Sequence, residues 1–290
     1  MKRNFYLLFS LLFLLAGCEK YEPAIPLDSD EWEQATLKGE FSVSDTQKVR
    51  FSKGNLQYQA STDTWRFAEN QYDIIGLTND SASATYSGWI DLFGWGTSGW
   101  KSKAKAYLPW DNSTEPDDYY PGNKMKNDLT GDYEKADWGI YNSISNGGKA
   151  QGIWRTLTVD EQKYLFNQRD NASGLRCKAT VVGNIGLLLM PDNWQDPGIP
   201  LNREGGPWDN VLDTTQWEML EQTGVVFLPA AGVKINKETD DVNLNCRYWT
   251  STHMDEWSAY ALYVEAGGEI NPESSTIRSY GASVRLVRKD

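Results

Sequence analysis

The chain has 290 residues, 40% hydrophobic and 23% charged, with a mean hydropathy of −0.58; such a composition folds in water as one large domain or two small ones. Its 28 Lys and Arg against 40 Asp and Glu give a net charge of −12, the wrong sign for a nucleic-acid partner, since phosphate binding starts from a basic field. One histidine and three cysteines exclude two-histidine metal sites, His-Glu-x-x-His zinc centres, four-cysteine zinc sites and iron–sulfur clusters.

Met1-Lys2-Arg3 is a basic start, and Phe5 to Leu15 is an apolar stretch broken only by Ser10. It is too short for a bilayer core of about 30 Å and reads as a signal peptide over residues 1–17. Leu15-Ala16-Gly17-Cys18 resembles the lipobox of bacterial lipoproteins, which implies that Cys18 is lipidated and becomes the first mature residue. Residues 18–40 carry Pro23, Pro26 and Asp28-Ser29-Asp30-Glu31 and read as a lipidated tether. The domain proper is expected over 41–290. The expected membrane partner is thus reached through an N-terminal lipid, which places the protein in the cell envelope, at the outer membrane.

Lys48 to Ser52, Asn55 to Gln59 and Thr64 to Ala68 alternate polar and apolar residues, which predicts half-buried antiparallel strands arranged as a meander. Residues 76–152 lack periodicity, yet Trp89, Trp95, Trp100, Trp110 and Trp138 predict ordered, aromatic-pinned loops, because disordered chains are poor in aromatics. Thr158 and Glu161 form a capping box opening a helix from Val159 to about Gln168, with Leu165 and Phe166 turned to a core. Thr215 and Glu218 repeat the device for a second helix that Gly224 ends. Strands are expected at Leu175 to Val181 and Gly186 to Met190 around a Gly183-Asn184 turn. Others follow at Val225 to Leu228, Tyr248 to Thr252, Ser258 to Glu265 and Ser283 to Arg288. The class is α+β.

Cys177 and Cys246 remain in an oxidising compartment, where a disulfide is permitted; two separate buried thiols are equally compatible, because spacing does not give the distance.

Several segments together resemble Bacteroidetes lipoproteins that carry the Fibrobacter succinogenes major paralogous domain. They are Val49 to Tyr58, Thr64-Trp65-Arg66-Phe67, Asp91 to Gly99, Leu187 to Trp194, Phe227 to Gly232, Tyr248 to Thr252 and Ser283 to Arg288. The resemblance implies a C-type-lectin-like domain related to the formylglycine-generating enzymes. In such folds antiparallel sheets carry two short helices, the first and last strands pair, and a face of long ordered loops presents the ligand. The enzymes of that fold use a cysteine pair near the last strand; here Ser274 to Ser283 contains none.

Other motifs reduce to structure. Gly94-Trp95-Gly96-Thr97-Ser98-Gly99 matches G-x-G-x-x-G, but no apolar strand precedes it and no helix pattern follows, so it is a turn holding an aromatic. Glu115-Pro116-Asp117 and Asn271-Pro272-Glu273 only imitate lectin calcium signals, and Asp111, Glu115, Asp117 and Asp118 read as a solvated acidic loop. No cofactor and no metal are implied. The 13 Trp, 15 Tyr and 9 Phe mostly fill a core, Trp65, Phe67, Trp194 and Trp249 among them. His253, Asp255, Trp257, Tyr260 and Tyr280 lie near loop ends where lectin-like folds carry their sites, and form the expected contact surface for a glycan or protein ligand. The expectation is a binding protein without catalysis. The competing classes are a divergent formylglycine-generating or carboxylate-based glycan-processing enzyme and a structural surface component.

Overall fold

The computed structural model describes residues 29–203, 209–265 and 270–289, so Cys18 and the expected signal peptide over residues 1–17 lie outside the described residues. Helix α1 (Ser29–Gln34) precedes β1 (Phe41–Ser42), β2 (Lys48–Phe51), β3 (Leu56–Gln59) and β4 (Thr64–Phe67). A long loop region containing the single-turn α2 (Trp138–Tyr141) leads to α3 (Val159–Lys163), which runs on into a π turn, Tyr164–Gln168. Then come β5 (Arg176–Val181), β6 (Asn184–Leu189), β7 (Asn210–Leu212), α4 (Thr214–Gln222), β8 (Val226–Pro229), β9 (Val233–Ile235) and β10 (Glu238–Asp240). The chain closes with β11 (Asn245–His253), β12 (Ser258–Glu265), β13 (Ile270–Ile277) and β14 (Val287–Lys289). The class is α+β with mostly antiparallel sheets, in the orders β1-β2-β14, β3-β4, β7-β5-β6-β8, β9-β10 and β11-β12-β13. Only β5 and β7 pair in parallel among the named strands.

The three N-terminal strands do not form the expected meander. β3 and β4 make a hairpin, whereas β2 pairs with β1 and with the C-terminal β14. The C-terminal segment takes the hydrogen bonds that a meander would have used: Ser52 N–H donates to Leu286 O (2.9 Å) and Leu56 N–H to Val284 O (2.9 Å). Alternation identifies a strand but carries no information about its neighbour.

The packed body also begins before Phe41. Ala35 is 1% exposed, Leu37 N–H donates to Phe51 O (2.9 Å), and the Arg288 guanidinium lies 4.2 Å from the Trp32 ring centre. Residues 32–37, part of the segment expected as a tether, thus pack on the domain, because a few well-placed side chains dock a stretch whose composition is mostly polar.

Helix α3 carries the expected capping box of Thr158 and Glu161. For α4 the cap is Asp213, reciprocated by Gln216, not Thr215 with Glu218; aspartate is the stronger cap and starts the helix two residues earlier. Strand β13, with Asn271, Pro272 and Glu273, was not expected, since these are poor strand formers. It is tolerated at a sheet edge, where proline sacrifices no ladder bond.

The β5–β6 hairpin closes through Val182 (φ 49°) and Gly183 (φ 87°), with Val181 paired to Asn184. A two-residue loop with both φ positive suits Asn-Gly, and a β-branched residue there is strained. Val182→Asn is expected to stabilise the fold by about 1 kcal/mol, read as a higher urea midpoint at unchanged slope.

Three cores result. One is tryptophan-rich, built on Trp65, Trp95, Trp138, Trp154 and Trp249 with the β3–β4 hairpin. The second holds Phe41, Phe51, Leu165, Phe166, Leu187, Leu189 and Cys246. The third lies under α4 and holds Cys177, Leu188, Trp217, Leu220 and Phe227. Trp65, Phe67 and Trp249 are buried as expected, while Trp194 is half-buried against the third core. The long loops are pinned by rings: Trp95 and Trp138 are fully buried, and Trp100 and Trp110 pack on the first core. The Arg66 guanidinium covers Trp89 at 3.8 Å.

Candidate functional site

Strands β11 and β12 are joined by a four-residue tip, Met254 to Trp257. Asp255 organises it: one carboxylate oxygen accepts the N–H groups of Trp257 (2.9 Å) and Ser258 (2.8 Å), the turn-forming role short acidic side chains favour. The tip is tied to the rest of the loop face through Arg278, which follows β13 and is 0% exposed. Its Nε donates to Ser258 O (3.1 Å), and its Nη2 to Asp255 O (2.7 Å) and Met125 O (2.8 Å). Its guanidinium lies 4.7 Å from the ring centres of both Trp95 and Tyr120. Burial pushes the Arg278 pKa down to about 10. Nη1 meets no acceptor among the described residues, and the two ring faces stabilise the charge that is left.

Two further links run to the loop at 120–128. Tyr120 donates its hydroxyl proton to Glu256 O. His253 donates its N–H to Asp128 Oδ1 (2.9 Å), and its Nδ1 lies 2.6 Å from the same oxygen. The outcome is an indole held out by a fixed backbone: Trp257 is 57% exposed and Met254 40%. The Trp257 ring N–H reaches Glu256 Oε1 at 2.8 Å, which orients the ring without covering its face.

His253, Asp255 and Trp257 are therefore gathered in one place. Tyr260 is not: its strand neighbours Ala259 and Ala261 face the tryptophan core, which turns it to the opposite side, within electrostatic range of Lys163. Tyr280 sits half-buried in the turn after β13, where its N–H donates to Ile277 O (2.9 Å) and the next residue pairs with Lys234. Among the described residues no hydrogen bond or ring contact joins either tyrosine to the tip. Period two puts alternate residues on opposite faces, so nearness in sequence does not gather them. Arg278, Tyr120 and Asp128 are the residues that sequence reasoning missed. Nothing local marks them, because Tyr120 and Asp128 act on partners more than a hundred positions away and Arg278 on partners 20 positions away or more.

The two cysteines are free and buried, which settles the alternatives in favour of separate thiols. Cys177 faces the α4 core, and Cys246 lies in the second core with Leu187 and Leu189, on the other face of the same sheet. The sheet stands between them. Cys246 donates its thiol proton to Leu228 O (3.4 Å). Burial pushes the Cys177 thiol up to about 12 and that of Cys246 higher still, so neither is a nucleophile near neutrality.

A cleft of about 360 Å³ gathers Glu134, Asp137 and Glu161 beside Arg155 and Thr156. Its two inner carboxylates are already employed. Asp137 caps α2, accepting from Gly139 N–H (3.0 Å) and Thr156 N–H (2.8 Å); Glu161 takes both Arg155 nitrogens at 2.6 Å and the Thr158 N–H at 2.9 Å. In the acidic loop, Lys105 meets Asp118 at 2.6 Å. The glycine-rich 94–99 segment is a turn around buried Trp95, where a Cβ on Gly94 would fall 2.4 Å from the Tyr119 ring. Comparison with protein-family models, curated proteins and solved structures finds no match for the chain.

Proposed function

We propose that this is an exported, lipid-anchored binding module with a C-type-lectin-like domain, which recognises a glycan or protein ligand at the Met254–Trp257 tip and performs no turnover. The observation that carries the reading is the exposed Trp257 indole on a backbone fixed by Arg278 and Asp255. A ring that is both exposed and pre-ordered binds at little entropic cost, and truncating such an anchor typically removes 2 kcal/mol or more. Glu256 beside it supplies an acceptor for a hydroxyl group, so ring stacking and hydrogen bonding converge as a sugar face requires. The C-type-lectin-like assignment draws support from the antiparallel β2–β14 pairing near the two ends of the domain and from the loop-rich face beside two capped helices. The lipobox at Cys18 supports the anchor.

The test is a screen of the mature protein against purified glycans and envelope proteins, with Trp257→Ala and Tyr280→Ala beside the wild type. Trp257→Ala is expected to weaken the best ligand roughly 30-fold with an unchanged melting temperature, and Tyr280→Ala to leave it intact. Equal binding by Trp257→Ala would refute the surface, and chemical conversion of a bound glycan would refute the absence of turnover.

A further inference from the structure

Another cleft lies away from the tip. It measures about 620 Å³ and is lined by Arg176, Lys178 and Arg203 with Asn171 and Ser173 at its edge. Ile270 at the start of β13 also borders it, which puts it at the far end of the β11–β12–β13 sheet, roughly 23 Å of strand from the tip.

The cations stand where alternation calls for apolar residues. On β5, Cys177, Ala179 and Val181 face the α4 core, so Arg176 and Lys178 occupy the other face. Their register partners on β6, Leu189 and Leu187, are 0% exposed in the second core on that face. The same surface thus passes from leucine to arginine and lysine in one strand step. Lys178 is only 8% exposed, and burial pulls both residues below their usual pKa range. Holding a cation there costs stability.

Internal pairing does not account for the arginines. Arg176 donates to Phe166 O (2.5 Å) and Asn167 Oδ1 (3.3 Å). Arg203 donates to Gly174 O (3.1 Å) and lies 5.3 Å from the Trp194 ring centre. These are neutral partners that position the guanidinium groups, and among the described residues no carboxylate forms a salt bridge with either of them. Glu265 is the acid whose field reaches Lys178. In a chain of net charge −12, three cations around one concavity of ligand size run against the overall field.

We infer that this cleft is a second binding site, for an oxyanion ester, a sulfate or a phosphate carried on a small polar body such as a sugar. Two guanidinium groups provide the forked donors that tetrahedral oxyanions accept, and Lys178 lines the same cleft. The site does not depend on Trp257.

Titration calorimetry tests it with glucose 6-sulfate, glucose 6-phosphate and glucose as probes, on the wild type, Arg176→Gln, Arg203→Gln and Trp257→Ala. An ester is expected to bind where glucose does not, with affinity falling as sodium chloride is added. Arg203→Gln is expected to weaken it about tenfold or more, and Trp257→Ala to change nothing; the preferred ester identifies the source. Arg203 is exposed, so its variant carries the test should Arg176→Gln lose structure. Absence of heat with both esters in the wild type, equal binding of glucose, or wild-type affinity in Arg203→Gln would each overturn the assignment.

Discussion

Arg278→Ala is expected to lower the unfolding free energy by about 3 kcal/mol and to release the hairpin tip. The truncation removes the donor for three carbonyls, those of Ser258, Asp255 and Met125, and opens a void between Trp95 and Tyr120. Against this stands the relief of no longer burying a cation whose pKa burial has pushed down to about 10. The carbonyls and rings outweigh that relief, because the buried Ser258 carbonyl is left without its donor and two partly buried carbonyls lose a charged one. Arg278→Lys should recover less than half, since an ammonium cannot span three acceptors from one plane. Urea denaturation measures the loss, and amide exchange at residues 254–258 measures the release. If midpoints and exchange were unchanged, the hairpin would be self-supporting and the rigid presentation of Trp257 would need another source.

The second large effect concerns Asp137. Burial pushes its pKa up to about 6, against the hydrogen bonds from Thr156 and Gly139 that favour the charged form. A carboxyl that holds its proton to higher pH folded than unfolded stabilises the fold at low pH and withdraws that stabilisation as pH rises through its folded value. Between about pH 4 and 6 this one group should therefore cost up to about 3 kcal/mol, and Asp91, pushed up to about 6 by the same cause, adds to the slope. Asp118 has the opposite sign: Lys105 and the Ser113 hydroxyl hold it below the usual carboxylate range, so its contribution is lost only under stronger acid. Urea midpoints at pH 4.5 and 7 should show a shallower fall in Asp137→Asn than in the wild type.

How much could be read in advance differs element by element. β2 and β4 were visible because a half-buried strand must alternate, β3 by the same polar–apolar pattern although its Gln57 is buried too, and α3 because Thr158 and Glu161 are one helical turn apart. β13 was hidden by Asn271, Pro272 and Glu273, which an exposed edge accepts and a propensity scale does not. At the candidate site, Trp257 and Asp255 were legible as an aromatic and a turn former between two strands. The analogy with the loop ends of lectin-like folds groups Tyr260 and Tyr280 with them, whereas the pleat sends Tyr260 elsewhere.

Short-range rules act over a few residues, and within that range this sequence determined the alternating strands β2 to β4, the Thr158 cap of α3, the tight turn at Gly183 and the burial of Trp65 and Trp249. What pairs β2 with β14, separates Cys177 from Cys246 by a sheet, seats Arg278 between Trp95 and Tyr120, and draws Arg176 and Arg203 to one cleft is contact between distant segments. Those contacts are chosen by the closing of the chain as a whole, since a side chain carries its chemistry locally but meets its partner only when the intervening residues have folded.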